Sequence, residues 1–321
     1  MKINGRHIAA QIYEDLQNRV GELKKIRITP HLTVILIGKD PASIAYVNQK
    51  QKWGKHIGAK ITVRRFSGSI SNEELTKKIQ QLNTDPDNHA TLIQRPVPRQ
   101  IDLKQLTLLV DPQKDIDGFH PDSPYTLPLP LAVVKILEEI YNITLKQGVT
   151  RAGDPHRAPA APLSGTRTSD GESERQDPVM ESFHSWLKSQ KIVILGKGPT
   201  GGNPVLKYLI KLGVHPIQID SKTPSPDKFL KKADIIITAV GKPNIITTEK
   251  IKKDVILIGV GIFRGEDRKL HGDYNETDIK NIASFYTPTP GGVGPVNVAM
   301  LLQNLLDTTS KQTKNSIAKN H

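Results

Sequence analysis

Ser43, Tyr46 and Lys50 lie at i, i+3 and i+7, a spacing that puts all three on one face of an expected helix over residues 42–57. A lysine exchanges protons near neutral pH only if its pKa falls, through desolvation or a neighbouring cation. Tyr46, one turn earlier, would orient the ammonium group. An exposed lysine beside a packed tyrosine satisfies the same spacing, so the triple alone leaves both readings open. A second constellation joins Gln94-Arg-Pro-Val-Pro98 to Lys114-Asp-Ile-Asp-Gly-Phe119. Proline turns at strand ends hold polar groups over clefts. Asp117 can accept two parallel hydrogen bonds from the N–H and amino groups of a heterocycle, unless Asp117-Gly118 is only a turn.

Two glycine-rich loops follow. Gly196-Lys-Gly-Pro-Thr-Gly201-Gly202 comes directly after an apolar strand and before a helix, which is the setting a G-x-G-x-x-G dinucleotide loop requires. Its glycines let backbone approach a pyrophosphate at the helix N-terminus. The next strand ends at Asp220, where a carboxylate can accept from a ribose hydroxyl and would favour NAD. Lys197, Ser221 and Lys222 could instead hold a 2′-phosphate, so the nucleotide preference stays open at this point. The second loop, Thr287-Pro-Thr-Pro-Gly-Gly-Val-Gly-Pro295, combines prolines that fix φ with glycines that permit close approach, and it opens an amphipathic helix at 296–306.

These groups must be positioned by alternating strands and helices. Apolar strands are expected at 32–37, 61–66 and 91–94, with helices at 42–57, 72–82 and 131–140. The pattern restarts with strands at 192–195, 216–220, 234–240 and 255–260 and a helix at 201–212. Two α/β domains result. Their expected extents are 1–143, completed by a C-terminal helix at 295–308, and 186–290. Between them, 148–182 has almost no large apolar residues and is expected to be disordered, as is the tail 310–321.

The chain has 321 residues, enough for two cores. Its lack of cysteine excludes disulfides, thiolate nucleophiles and zinc–thiolate sites, and no metal is expected. The first six residues lack the apolar core of a signal peptide, and no apolar run is long enough to span a membrane; the expected setting is cytoplasmic. The net charge of +13 suits anionic small ligands, because the lysines and arginines are dispersed and accompany no nucleic-acid motif.

Together these blocks resemble the bifunctional methylenetetrahydrofolate dehydrogenase/methenyltetrahydrofolate cyclohydrolase family. The resemblance runs from Gly5-Arg-His-Ile-Ala9 and Val34-Ile-Leu-Ile-Gly-Lys-Asp-Pro-Ala-Ser43 through Tyr46-Val-Asn-Gln-Lys50, Gln94–Pro98 and Lys114-Asp-Ile-Asp-Gly-Phe-His-Pro121. It continues in Ala239-Val-Gly-Lys-Pro243, Gly259-Val-Gly-Ile262, Gly272-Asp273 and the Thr287–Pro295 loop. It implies two three-layer α/β domains flanking a cleft, the second a Rossmann-type nucleotide-binding domain, in a homodimer. It also implies oxidation of 5,10-methylenetetrahydrofolate with NADP+ or NAD+, then hydrolysis to 10-formyltetrahydrofolate. On that pattern Lys50 is the general acid/base, Gln94 its hydrogen-bond partner, Tyr46 a stacking residue and Asp117 the pterin anchor. Gly196, Lys197, Gly198, Thr200, Gly201, Ser221, Gly241 and Ile262 would bind the nucleotide. Pro290, Gly291 and Gly292 would border the folate.

The sequence departs from the family at several points. The chain is shortened after His120-Pro121, and Leu127-Pro-Leu-Pro130 replaces a Pro-Cys-Thr-Pro run. Asp220 stands where histidine is usual, Asn297 where threonine is common, and Arg95 where an aliphatic residue is. Two alternatives accompany the main reading: a monofunctional NAD-linked dehydrogenase, and a basic nucleotide- or nucleic-acid-binding protein on a degenerate scaffold.

Overall fold

A computed structural model describes residues 1–148 and 178–319. The first half contains α1 (Gly5–Lys25), β1 (His31–Ile37), α2 (Pro41–His56), β2 (Lys60–Phe66), α3 (Asn72–Thr84), β3 (Ala90–Ile93), α4 (Leu103–Leu109) and α5 (Pro128–Lys146). The second contains α6 (Pro178–Ser189), β4 (Ile192–Leu195), α7 (Gly202–Lys211), β5 (Ile217–Ile219), α8 (Asp227–Leu230), β6 (Ile235–Thr238), β7 (Ile256–Gly259), β8 (Ile262–Arg264), β9 (Leu270–Gly272), α9 (Glu276–Ile279), β10 (Phe285–Tyr286) and α10 (Val293–Lys319).

Every residue of β1 is buried, the signature of a parallel strand covered on both faces. It runs centrally in a three-stranded sheet ordered β2-β1-β3, with Val34 opposite Val63 and Leu92. The second sheet is also parallel, ordered β10-β7-β6-β4-β5. From β4 the chain moves outward to β5 and then crosses to β6, so the topological switch point lies between β4 and β6. Open α/β sheets bind ligands beyond the carboxyl ends of strands at that point. The short antiparallel hairpin of β8 and β9 has no counterpart in the sequence-based expectation.

Helix starts follow local chemistry. Asn4 caps α1 by accepting from the amides of Arg6 and His7. Asp40 caps α2 by accepting from Ser43 N at 2.7 Å, and Pro41 supplies a pre-set φ in the first turn. Ile8, Ile12, Leu16 and Leu23 all lie on the buried stripe of α1. α10 packs on α1 and α5, so the last helix is built into the first domain's core.

Two expected boundaries need correction. The segment expected to be disordered at 148–182 lies mostly outside the described residues, but 178–182 begin α6, where Phe183 and Leu187 are buried and the Phe183 ring lies 5.8 Å from that of Tyr141 on α5. The expected disordered tail at 310–321 is helical through Lys319, and only 320–321 lie outside the described residues. Polar side chains hold this extension. Thr308 Oγ1 donates to Gln113 O at 2.6 Å, and Gln312 Nε2 donates to His89 O at 2.9 Å. Hydrophobic periodicity does not reveal a helix anchored by such bonds, which is why the reading at 295–308 stops short. No helix among the described residues is long and apolar enough to cross a membrane. Those residues also contain no group of three or more histidine and carboxylate side chains able to hold a metal.

Candidate active site

Capped and oriented at Asp40, α2 directs Ser43 and Lys50 into the interior and leaves Tyr46 half-buried between them. Lys50 is only 7% exposed, and its Nζ donates to Gln94 Oε1 at 2.9 Å. Gln94 sits just past β3, where its Nε2 donates to Arg95 O at 2.7 Å. That second bond fixes the amide so that its oxygen, not its nitrogen, faces the lysine. The Lys50 ammonium lies 5.9 Å from the Tyr46 ring centroid. Burial holds the Lys50 pKa below the ordinary lysine value, and the Asp117 carboxylate opposes that shift. Asp117 is displaced the other way: desolvation raises its pKa, against the pull of Lys50 and Arg95. Burial thus drives both Lys50 and Asp117 toward neutrality, while the attraction between their charges opposes it.

The turn bearing Asp117 is shaped by its neighbours. Asp115, buried, accepts from His120 N at 2.7 Å, and its backbone oxygen accepts from Ser123 Oγ at 2.7 Å. Gly118 has φ +69°, and a Cβ there would meet Tyr125 O at 2.6 Å. These contacts let the short connection after His120-Pro121 fold back beneath the site. A contribution missed at the sequence level comes from α10. Asn304, 5% exposed, donates its Nδ2 to both Ile116 O and Thr126 O, each at 2.9 Å. It ties together the two ends of the Asp117 loop. Arg95 stacks its guanidinium 3.6 Å above the Phe119 ring centroid and donates to Thr107 Oγ1 at 3.1 Å, which accommodates a cation at that position.

The Pro/Gly loop forms the other wall. A Cβ on Gly5 would strike the backbone of Gly292, and a Cβ on Gly292 would meet Pro288 O at 2.6 Å within the loop itself. Gly291, at φ +111°, lies beside the Arg6 side chain, and Gly294 lies 4.0 Å from the Tyr46 hydroxyl measured from an added Cβ. The loop thus runs from the end of β10 to the tyrosine of α2. Asn297 follows on α10, next to Tyr46.

In the second domain Gly196 adopts φ +106°, and Gly202 has no room for a Cβ against Gly196 O. Gly198 faces open space. This is a cradle of exposed backbone at the start of α7, which fits a pyrophosphate. Thr200 and Gly201 complete the turn, with Thr200 exposed. Gly201 adjoins Ala239 at 3.2 Å by the same Cβ measure, which places the loops after β4 and β6 side by side. Gly241, at φ +73°, would meet Ile262 O at 2.9 Å through a Cβ, so these two expected nucleotide contacts are neighbours.

Asp273, which motif reading left without a role, holds this region. Fully buried, it accepts from the amides of Val240, Gly241 and Lys242 at 3.1, 2.7 and 3.0 Å. Gly261 leaves space for the same carboxylate. Ser221 is exposed just beyond Asp220. The expected site residues thus fall into two clusters and one connecting loop. Lys50, Tyr46, Gln94 and Asp117 meet around α2. Gly196, Lys197, Gly198, Thr200, Gly201, Ser221, Gly241 and Ile262 gather at the carboxyl edge of the second sheet. Pro290, Gly291 and Gly292 join the two domains.

A parallel nucleotide-type sheet linked by a glycine loop to a domain with a buried lysine–amide pair defines a two-domain α/β enzyme of the nucleotide-binding class. Comparison with known proteins gives the family. Residues 3–117 match the model for the tetrahydrofolate dehydrogenase/cyclohydrolase catalytic domain, and 178–313 the model for the NAD(P)-binding domain of the same enzymes. The chain belongs to the tetrahydrofolate dehydrogenase/cyclohydrolase family. It is 32% identical over 318 residues to the bifunctional protein FolD of Lactococcus lactis subsp. cremoris, covering 98% of this chain and 99% of the relative. It is 35% identical over 316 residues to FolD of Nautilia profundicola, covering 98% and 97%. The crystal structure of the bifunctional FolD dehydrogenase/cyclohydrolase from Campylobacter jejuni superposes with a TM-score of 0.80 at 29% identity, covering 97% of this chain and 99% of that one.

Proposed function

We propose that this protein oxidises 5,10-methylenetetrahydrofolate to the methenyl compound with a nicotinamide nucleotide, then hydrolyses that product to 10-formyltetrahydrofolate. The observation that carries the reading is the buried Lys50, bonded to Gln94 and under the influence of the Asp117 carboxylate, on the far side of the Pro/Gly loop from a backbone cradle for pyrophosphate. When bound, the nicotinamide supplies the hydride acceptor, and the protein's part in oxidation is positioning. Gly196, Gly198 and the first turn of α7 hold the phosphates. Gly241 and Ile262 border the ring, and Pro290 to Gly292 keep backbone low enough for the two ring systems to meet.

Hydrolysis needs a proton shuttle. Neutral Lys50 takes a proton from the water that adds to the cationic methenyl carbon, forming a C–O bond. It returns the proton to N5 as the C–N5 bond breaks, and the hydroxyl proton of the tetrahedral adduct leaves to solvent as the C=O forms, so the formyl group stays on N10. Gln94 accepts from Nζ in either protonation state and keeps the lone pair aimed. Asp117 anchors the pterin by accepting from its N–H and amino groups, and Tyr46 covers the ring. The cation on the substrate disfavours the ammonium form further.

A homodimer in the cytoplasm completes the reading; nucleic acid has no part in it. The test is turnover of 5,10-methylenetetrahydrofolate with each nucleotide, followed through methenyl to formyl product. Absence of folate turnover with either nucleotide would refute the reading, and sedimentation velocity decides the dimer.

A further inference from the structure

Asp220 ends β5 beside the glycine loop, and the two are tied together. Gly196 N donates to Ile219 O at 2.9 Å, and Gln218 Nε2 bridges Gly196 O at 2.9 Å and Asn203 Oδ1 at 3.0 Å. The distance from phosphate cradle to Asp220 is thus set by strand and loop rather than by mobile side chains.

The carboxylate itself is held from several directions. Its Oδ1 accepts from Lys222 N at 3.0 Å and Thr223 Oγ1 at 3.1 Å, while Asp220 N donates to Thr223 Oγ1 at 3.0 Å. Its Oδ2 pairs with Lys197 Nζ at 3.0 Å. Lys197 is the cation that the glycine loop itself carries. An ion pair this exposed contributes little stability, so what matters is the sign of charge at the position and the fact that Lys197 is already engaged.

We infer that Asp220 makes this protein select NAD+ over NADP+, accepting a hydrogen bond from the ribose 2′-hydroxyl while Lys197 is engaged by the carboxylate instead of being free to bind a 2′-phosphate. A carboxylate at the end of the second strand of a nucleotide-binding unit is suited to that hydroxyl. A 2′-phosphate would meet a negative group pinned by its own turn and unable to swing aside without breaking the Lys222 and Thr223 bonds. Ser221 and Lys222, which could also bind phosphate, follow on the same exposed turn. This inference rests on the nucleotide-linked reading above.

The experiment measures equilibrium binding of NAD+ and NADP+ by calorimetry on the full chain, alongside kcat/KM for each. The wild type should bind NAD+ at least about tenfold more tightly than NADP+. In Asp220→Ser, Lys197 is released, and NADP+ affinity should rise by about tenfold or more while NAD+ affinity falls. Adding Lys197→Ala to Asp220→Ser should abolish that gain, a result a merely structural aspartate would not produce. Tighter NADP+ binding by the wild type, or an unchanged ratio in Asp220→Ser, would overturn the inference. NAD+ binding with the stated preference but no folate oxidation would sink the functional reading and leave the selectivity assignment standing. Binding of neither nucleotide would sink both.

Discussion

Lys50 Nζ and Gln94 Oε1 are 2.9 Å apart in a site where both side chains are more than nine-tenths buried. The amide cannot rotate to present its nitrogen, because its Nε2 is engaged by Arg95 O. A lysine held by a neutral acceptor keeps its pKa lower than one held by a carboxylate, and that is the arrangement a proton shuttle requires.

Replacing Lys50 by methionine keeps the volume and removes the proton carrier. Hydrolysis of methenyltetrahydrofolate should fall by about 10²- to 10⁴-fold, while oxidation of the methylene substrate persists. The methenyl species then accumulates in a coupled assay. Undiminished hydrolysis would remove Lys50 from the mechanism.

The pH dependence follows from the sign of each influence on Lys50. Burial lowers its pKa and Asp117 raises it. The active form is the neutral amine, so hydrolysis should increase as pH rises through that lowered pKa, below the ordinary lysine range. Asp117→Asn removes the raising influence and should move the rising limb to lower pH, whatever it does to folate affinity. The limb position in kcat against pH is the measurement, and a shift toward alkaline pH would contradict the assignment.

Asn304→Ala leaves the carbonyls of Ile116 and Thr126 without their donor, at a cost of about 1–3 kcal/mol for each group that stays dry. Urea unfolding should show the loss as a lower midpoint. Because the two carbonyls bracket the Asp117 loop, KM for folate should rise as well. A variant with wild-type midpoint and KM would mean that water replaces the amide.

Asp273→Asn keeps the shape of the side chain but turns one acceptor into a donor facing backbone amides. Oxidation should suffer more than hydrolysis of methenyltetrahydrofolate supplied directly, with the nucleotide KM rising by about tenfold. Equal losses in both reactions would point to general misfolding.

How much of this was legible in the sequence depends on whether a feature is local. β1, α2 and the glycine loop follow from short-range pattern and capping, and Lys50, Tyr46 and Gln94 stood out by spacing and by resemblance. Asn304 did not, and Asp273 appeared in the resemblance without a role, because their partners are distant in sequence or are backbone groups that carry no side-chain signal. The helical extension beyond residue 308 was hidden for a related reason: Thr308 and Gln312 read as solvated polar residues until their acceptors, Gln113 and His89, are placed beside them. The pairing of Lys197 with Asp220 lay between these cases. Both residues were visible as candidates for opposite nucleotides, and only their contact shows that one engages the other.

The N-terminal residues add a last consequence. Ile3 N donates to Tyr286 O at 2.8 Å and Tyr286 N to Met1 O at 3.0 Å, so residues 1–3 extend the second domain's sheet beyond β10. α10, at the other end, fills the core of the first domain. Each lobe is therefore finished by the terminus that belongs, in chain order, to the other, as in two clasped hands. Melting either lobe would strip a paired or packed segment from its neighbour, so a single shared unfolding transition is the expected outcome of thermal melting. Cutting the polypeptide into its two halves would leave a bare sheet edge on one piece and an uncovered apolar stripe on the other.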